Sequence, residues 1–232
     1  MNIAIIGYGK MGHEVEKIAK LKGINVVSII DPNEKNAAFR EINEQSMKNV
    51  DVCIDFTAPN SVVENIKKIS SFGKNMAVGT TGWHDRLDEV RNIVGKSNMG
   101  FIYASNFSIG VNIFFRIVEN AARLMNKVDA YDVYGYELHH NKKLDSPSGT
   151  AKSIEKILIN NITRKKEVPF ASVRSGSIPG THVVGFDSSA DTIELKHTAR
   201  NREGFALGAI MAAEWINGKK GFYDINDIIK ID

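Results

Sequence analysis

The first third of the chain alternates short apolar runs with segments of helical periodicity. The runs NIAIIG and VDVCIDF are almost continuously apolar, which is typical of strands covered on both faces in a parallel sheet. The segments MGHEVEKIAKLKG and SVVENIKKISSFG instead place apolar residues every three to four positions, as amphipathic helices do. This alternation predicts an α/β unit with a doubly wound parallel sheet.

The pattern changes in the second half of the chain. A long amphipathic segment, roughly Ile109 to Met125, predicts a helix, and the runs AYDVYGYELHH, FASVRSG, GTHVVGFD and DTIELKHTA predict strands. We therefore expect a second, α+β domain built on a mixed or antiparallel sheet. A last helix, about Gly204 to Asn217, precedes an apolar tail that we expect to pack on the first domain. The predicted domains are 1–106 plus about 205–232, and 107–204.

Composition excludes several classes of function. The 232 residues carry 30 basic and 27 acidic side chains, and the signs alternate, so we expect no nucleic acid partner. No segment reaches the roughly 18 apolar residues of a membrane span, and the chain begins directly with a strand pattern, so we expect a cytoplasmic protein with no membrane partner. The single cysteine, Cys53, lies in an apolar run and allows neither an internal disulfide nor a thiolate metal site.

The segment GYGKMG places Gly7, Gly9 and Gly12 in the spacing G-x-G-x-x-G, between a predicted strand and a predicted helix. The first glycine permits a tight turn, the second lets a pyrophosphate approach the backbone, and the third allows close helix packing. This context favours a Rossmann-like dinucleotide site over glycines that serve turns alone. The predicted cofactor-binding residues of the loop are Gly7, Tyr8, Gly9, Lys10, Met11 and Gly12.

Asp31 follows the next strand, close to the spacing of about 20 residues expected for a carboxylate that binds the adenosine ribose. Such an acid favours NADH over NADPH. The preference stays open, because Lys10, Lys35 or Arg40 could approach a 2′-phosphate. Two later loops, VGTTGW and YASNFS, either are ordinary turns or lie near the nicotinamide; their candidate residues are Gly79, Thr80, Thr81, Ala104, Ser105, Asn106 and Phe107.

The stretch YELHHNKKLDSPSGTAKS concentrates titrating side chains where a strand turns into a helix. Regular structure breaks at DSPSG, so Ser148, Gly149 and Thr150 lie near a helix N-terminus, which with Lys143 suggests a clamp for a carboxylate. Neighbouring strand residues point to opposite faces, so the adjacent histidines do not suggest a metal site, and we expect no metal. From local spacing alone, a pair of surface histidines is equally compatible.

ELHHNKKLDSPSGTA closely resembles the signature E-x-H-H-x-x-K-x-D-x-P-S-G-T-A of the dihydrodipicolinate reductase family. The segments VGTTG, ASNFSIGVN and RSGSIPGTHVV resemble further family segments, in the family's order and over essentially the whole chain. Two features depart from the family pattern. The glycine loop has Gly9-Lys10 instead of a doubled glycine and an arginine, and Ser146 stands where alanine is common.

The resemblance implies a 4-hydroxy-tetrahydrodipicolinate reductase of lysine biosynthesis. Such an enzyme reduces a cyclic dicarboxylate imine with NADH or NADPH, and a protonation completes the reaction. His139 and Lys143 match the family's catalytic residues, and His140, Lys143, Gly149 and Thr150 match its substrate contacts. Which of the two catalytic side chains gives the proton stays open: lysine is nearly fully protonated at pH 7 and histidine only about a quarter, but a bound dianion raises the pKa of histidine.

The resemblance also implies a homotetramer assembled through the sheet of the second domain. Two other functions fit the N-terminal pattern: a related enzyme such as an aspartate or homoserine dehydrogenase, and an NAD(H)-binding redox sensor without turnover. Neither requires the His-His-x-x-Lys and Ser-Gly-Thr arrangement.

Overall fold

The structure, a computed structural model, describes residues 1–229. Its contacts divide the chain into two compact units. The first comprises Met1–Ser108 and the segment from Arg202 onward, and the second comprises Ile109–Asn201. In chain order the elements are β1 (Asn2–Ile6), α1 (Lys10–Leu21), β2 (Asn25–Ile30), β3 (Val52–Asp55), α2 (Pro59–Ser71), β4 (Asn75–Val78), α3 (Leu87–Gly95), β5 (Gly100–Tyr103), α4 (Ile109–Met125), β6 (Asp132–His139), α5 (Gly149–Asn161), β7 (Phe170–Arg174), β8 (Thr181–Asp187), β9 (Thr192–Thr198), α6 (Glu203–Ile216) and β10 (Gly221–Asp224).

The first unit is built on a six-stranded sheet in the order β10-β5-β4-β3-β1-β2, with every pair parallel. All residues of β3 and β4 are buried, including the polar Asp55 and Asn75, as expected for strands that are covered on both faces. Helices α1 and α6 pack together, and α2 packs with α3. The predicted doubly wound, Rossmann-like sheet is therefore confirmed. Helix α3, with a short 3₁₀ turn before it at His84–Arg86, was not part of the sequence prediction.

The second unit is built on a four-stranded mixed sheet in the order β7-β6-β8-β9. β6 pairs with β7 in parallel and with β8 antiparallel, and β8 pairs antiparallel with β9. Helices α4 and α5 pack together, and their apolar residues share a core with Val184 and Phe186 of β8. The predicted α+β unit with a mixed sheet is confirmed, and α4 has the predicted bounds.

The C-terminal segment returns to the first sheet. β10 pairs in parallel with β5 at the edge of that sheet, so this part of the tail joins the first unit. The last residues of the predicted apolar tail, from position 230 onward, lie outside the described residues. Among the helices at positions 1–229, none has the length and apolar character needed to cross a bilayer.

Candidate active site

The glycine loop follows β1, and its three glycines differ in their surroundings. Gly7 has φ +85°, and a Cβ there would lie 2.3 Å from the carbonyl oxygen of Phe56. A Cβ on Gly12, in the first turn of α1, would lie 2.4 Å from the Gly7 carbonyl oxygen. Gly9, by contrast, has no atom within 4 Å of an added Cβ, so its backbone is open to an approaching group. These surroundings fit a loop that binds a pyrophosphate at the start of α1, where Lys10 and Met11 lie.

Asp31 lies directly after β2, and its carboxylate connects the loop after β2 to the glycine loop after β1. Its Oδ2 accepts a hydrogen bond from the Tyr8 N–H at 2.8 Å, and its Oδ1 accepts from the N–H groups of Asn33 and Glu34 at 2.8 and 3.0 Å. Burial works to raise the pKa of Asp31, but these backbone hydrogen bonds outweigh it and lower the pKa. The carboxylate is therefore ionised at neutral pH, as binding of ribose hydroxyls requires.

A cleft of about 430 Å³ lies beside this carboxylate. It is lined by Gly7, Gly9 and Asp31 and also by the cations Arg40 and Lys68. The guanidinium of Arg40 donates to backbone carbonyl oxygens of Asp31 and Glu34, which holds its charge beside Asp31. Arg202, which has no assigned role from sequence, lies beside the same glycine loop, in a depression that it shares with residues that include Tyr8, Lys10 and His13.

The two later loops follow β4 and β5. The hydroxyl of Thr80 donates to Asp55 at 2.7 Å and accepts from the Thr57 N–H at 2.8 Å, while Thr81 is exposed. A Cβ on Gly79 would lie 2.2 Å from the Phe56 ring. Because parallel strands end at the same edge of a sheet, the loops after β1, β2, β4 and β5 all lie at one edge.

The loop after β5 carries the last predicted cofactor-binding residues. The N–H of Ala104 donates to the Val78 carbonyl oxygen at 3.1 Å, and the Asn106 side chain accepts from the Ser108 N–H at 2.8 Å. Ser105 is exposed, whereas Phe107 is buried with its ring against Phe56.

Asp55 is a buried carboxylate that the sequence prediction missed. It ends β3 and receives hydrogen bonds from Thr57, Asn65 and Thr80. Burial raises its pKa although these hydrogen bonds work in the opposite direction. The signal was present in VDVCIDF, where Asp55 stands between the apolar residues Ile54 and Phe56.

In the second unit, the HHNKKLDSPSG segment connects β6 to α5. Ser148 caps α5, because its Oγ accepts from the Ala151 N–H at 3.1 Å, and Gly149 and Thr150 are the first two helical residues. The Lys143 ammonium contacts the Asp145 carboxylate at 2.8 Å, and this pairing lowers the pKa of Asp145. Ser148, Gly149 and Thr150 thus lie at one helix start, and Lys143 is paired with Asp145 in the loop before it.

His139 and His140 lie at the end of β6 and differ in exposure. His139 is buried, and its Nδ1 lies 3.3 Å from Glu137 Oε2, whereas His140 is half-buried. Burial lowers the pKa of His139; Glu137 opposes this effect, and Lys143 and Arg174 add to it. The neighbouring histidines therefore do not form one cluster, in line with the predicted alternation along the strand.

Glu137 is the second residue that the sequence prediction missed. It is fully buried, and its Oε1 accepts hydrogen bonds from the Ser148 N–H at 2.9 Å, the Ser172 hydroxyl at 2.8 Å and the Arg174 guanidinium at 2.7 Å. Burial works to raise its pKa, but the hydrogen bonds lower it to about 2. The available signal was its position on the buried face of β6, because a buried carboxylate requires partners.

His182 of β8 completes the cluster. Its Nε2 lies 3.4 Å from Glu137 Oε2 and 3.2 Å from Ser148 Oγ. Burial and the nearby His139 lower the pKa of His182 to about 4, so its imidazole is neutral at pH 7. The sequence prediction placed this residue only in a strand.

The described residues, 1–229, contain one group of His, Cys or carboxylate side chains close enough to share a metal ion: Glu137, His139 and His182, with ligand atoms within 4.8 Å of one another. The same carboxylate already binds the Arg174 guanidinium, whose charge opposes a second cation. The absence of a metal stays a prediction.

A glycine loop at the edge of a parallel sheet, followed in the same chain by an α+β unit that gathers histidines and a lysine at a helix start, defines a two-domain nicotinamide-dependent oxidoreductase. The models for "Dihydrodipicolinate reductase, N-terminus" and "Dihydrodipicolinate reductase, C-terminus" match residues 1–107 and 110–229. The chain belongs to the dihydrodipicolinate reductase family.

Individual relatives cover the full chain. A 4-hydroxy-tetrahydrodipicolinate reductase from Christiangramia forsetii is 38% identical over 239 residues, which cover 99% of this chain and 98% of the relative. One from Archaeoglobus fulgidus is 35% identical over 262 residues, covering 99% and 100%. Among solved structures, dipicolinate-bound dihydrodipicolinate reductase from Paenisporosarcina sp. has the same fold, with TM-score 0.84, 24% identity and coverage of 98% of this chain and 99% of that one.

Proposed function

We propose that this chain is a 4-hydroxy-tetrahydrodipicolinate reductase, which reduces its cyclic dicarboxylate substrate to tetrahydrodipicolinate in the diaminopimelate route of lysine biosynthesis. The observation that carries the proposal is full-length identity of 38% to a relative of that name, in a chain that has His139, Lys143 and the start of α5 in one segment. Reduced nicotinamide supplies the hydride for the imine carbon when it is bound.

We assign Lys143, His140, Gly149 and Thr150 to the two carboxylates of the substrate. The Lys143 ammonium already binds a carboxylate, that of Asp145, which supports its ability to bind one from a ligand. A charge-assisted hydrogen bond contributes about 1.5–3 kcal/mol, and the N-terminus of a helix adds about 0.3–1 kcal/mol for an anion. Together these contributions favour a dianion over a neutral ring.

We assign the proton transfer to His139, with Lys143 holding a carboxylate. Burial lowers the pKa of His139, but the Glu137 carboxylate opposes this effect and favours the protonated imidazole, and a bound dianion would act in the same direction as Glu137. Lys143 is the other candidate, and the pH dependence of kcat/KM separates the two. With His139 as the acid, kcat/KM falls as the pH rises through the lowered pKa of His139, whereas a kcat/KM that stays constant through that range points to Lys143.

We assign the coenzyme to the sheet edge of the first unit. Residues 7–12 bind the pyrophosphate, Asp31 binds the adenosine ribose, and the loops 79–81 and 104–107 lie near the nicotinamide. The open backbone at Gly9 and the ionised Asp31 support this assignment and favour NADH. Arg40 beside Asp31 supports some use of NADPH.

We also assign residues 1–106 plus about 205–232 to coenzyme binding and 107–204 to substrate binding and assembly. A homotetramer joined through the second sheet is supported by apolar side chains on its outer strands, Val173 of β7 and Ile193 of β9, which are 45% and 41% exposed. The cytoplasmic location stays a prediction.

The activity is tested by following the absorbance of NADH and of NADPH in the presence of freshly generated product of dihydrodipicolinate synthase. The proposal predicts coenzyme oxidation only when the synthase is active, with inactivated synthase as the control. Failure to oxidise either coenzyme contradicts the proposal. Oxidation with oxaloacetate and ammonia, but not with the synthase product, would indicate an aspartate dehydrogenase.

A further inference from the structure

The two oxygens of Glu137 have separate surroundings. Oε1 accepts from Ser148, Ser172 and Arg174. Oε2 is buried and lies 3.3 Å from His139 Nδ1 and 3.4 Å from His182 Nε2. Oε1 therefore accepts from three donors, whereas Oε2 faces the imidazoles of His139 and His182.

The His139 ring has its other nitrogen on a different side. Nε2 lies beside Gly180, where an added Cβ would be 3.1 Å away. Glycine places no side chain over this nitrogen, whereas Nδ1 is buried against Glu137. Of the two ring nitrogens, Nε2 is thus the one that does not face the Glu137 carboxylate.

We propose that Glu137 is a positioning residue for the proposed reduction: its Oε2 accepts the Nδ1–H of His139, which leaves Nε2 to give the proton, while its Oε1 holds the start of α5. This inference rests on the proposed function. The Glu137 carboxylate also connects His139 to α5, the helix whose start we assign to substrate binding, because it accepts a hydrogen bond from the backbone N–H of the cap residue Ser148. The distance of 3.3 Å is long for a hydrogen bond, as catalytic hydrogen bonds often are before the substrate binds.

Charged and titratable groups face His139 from every neighbouring element. They are Glu137 on β6 itself, Lys143 and Asp145 in the following loop, Arg174 on β7 and His182 on β8. Glu137 and Asp145 raise the pKa of His139, and Lys143 and Arg174 lower it; Glu137 has the largest effect among the charges. Neutralising Glu137 therefore lowers the pKa of His139 further.

The variant Glu137→Gln reverses the polarity of the contact. The donors from Ser148, Ser172 and Arg174 require an acceptor, so the amide oxygen takes the Oε1 position and the NH₂ group faces His139. Nδ1 then accepts instead of donating, which disfavours the imidazolium and moves the proton of the neutral ring to Nε2. A matched control is Glu194→Gln, an exposed carboxylate on β9 of the same sheet that accepts from the Tyr134 hydroxyl.

The experiment combines steady-state kinetics with ¹⁵N NMR of the histidine side chains in the full-length protein. We expect Glu137→Gln to lower kcat at least about tenfold with unchanged NADH affinity, and to move the alkaline limb of kcat/KM to lower pH. NMR should show the neutral His139 ring protonated at Nδ1 in the wild type and at Nε2 in the variant. Glu194→Gln should match the wild type in each measurement.

Three results would overturn the proposal. The first is wild-type kcat and pH dependence in Glu137→Gln. The second is a lower kcat with an unshifted pH profile, which would leave Glu137 with a structural role only. The third is a wild-type neutral ring protonated at Nε2, a measurement that decides the question even if the variant does not fold. If the wild type fails to oxidise NADH, the proposed function fails, and the NMR measurement still tests the contact.

Discussion

Acidification should destabilise the second unit mainly through His182. The folded state holds this histidine neutral, with a pKa of about 4 against 6.5 in its ordinary state, and only 5% of the residue is exposed. Because the folded pKa is depressed, the unfolded chain binds the extra proton between these two values, so stability is lost as the pH falls below about 6.5. From pH 7 to about 4.5 the loss from His182 alone is on the order of 2–3 kcal/mol.

Glu137 acts in a different pH window. Its pKa of about 2 lies below the ordinary 4.5, so the stability that it contributes is present above about pH 4.5 and is lost as the pH falls toward 2. Between pH 7 and 4.5 the folded state keeps Glu137 ionised, and the unfolded state becomes only half protonated, so its contribution falls by only about 0.4 kcal/mol. Between pH 7 and 4.5, the change in stability therefore reports mainly on the histidines and only slightly on Glu137.

Hydrogen exchange measured by mass spectrometry on peptides from β6 and β8 tests this prediction. Tryptophan fluorescence is unsuitable, because Trp83 and Trp215 both belong to the first unit. The opening free energy of these peptides should fall between pH 7 and 4.5, and His182→Gln should reduce that fall by about 2 kcal/mol. The fall in opening free energy that remains in His182→Gln comes from His139 and His197, whose pKa values burial also lowers. An equal fall in wild type and His182→Gln would show that His182 does not cause the loss of stability. The control is His13→Gln, which changes an exposed histidine of the first unit.

Three further predictions concern the first unit. Asp31→Ala should raise the KM for NADH more than that for NADPH, and equal effects on the two coenzymes would contradict the ribose assignment. Gly12→Ala should destabilise the protein by about 1–3 kcal/mol, because its Cβ would meet the Gly7 carbonyl at 2.4 Å, whereas Gly9→Ala should keep its melting temperature and weaken coenzyme binding. Equal melting temperatures of these two variants would contradict the packing argument. Because burial raises the pKa of Cys53, a thiol reagent should label it only after unfolding, and rapid labelling of the native protein would show that the thiol is accessible.

Local patterns were sufficient to predict most of the fold. The continuous apolar strands, the helical period of α4 and the glycine loop each depend on neighbours in sequence, and the observed elements agree with them. Helix α3 was missed because it is short and only two of its residues, Val90 and Val94, are buried. Its hydrophobic periodicity is therefore weak.

The histidine cluster illustrates what local patterns do not contain. His139 is adjacent to His140 in sequence, yet its partners are Glu137 on the same face of β6 and His182 on β8. The pairing of β6 with β8 and β7 decides which side chains meet, and this pairing depends on the whole sheet. A glutamate on the buried face of a strand predicts that partners exist, but not that one of them is Arg174.

We propose that the end of β6 and the loop after it supply the proton donor and the cation for a doubly negative substrate. The most direct measurement is turnover of the full-length variants His139→Gln and Lys143→Ala with the synthase product, alongside their affinity for NADH. We expect kcat to fall by about 10²–10⁴ in each variant while the NADH affinity stays near that of the wild type. Near-wild-type kcat in both variants would contradict the proposal.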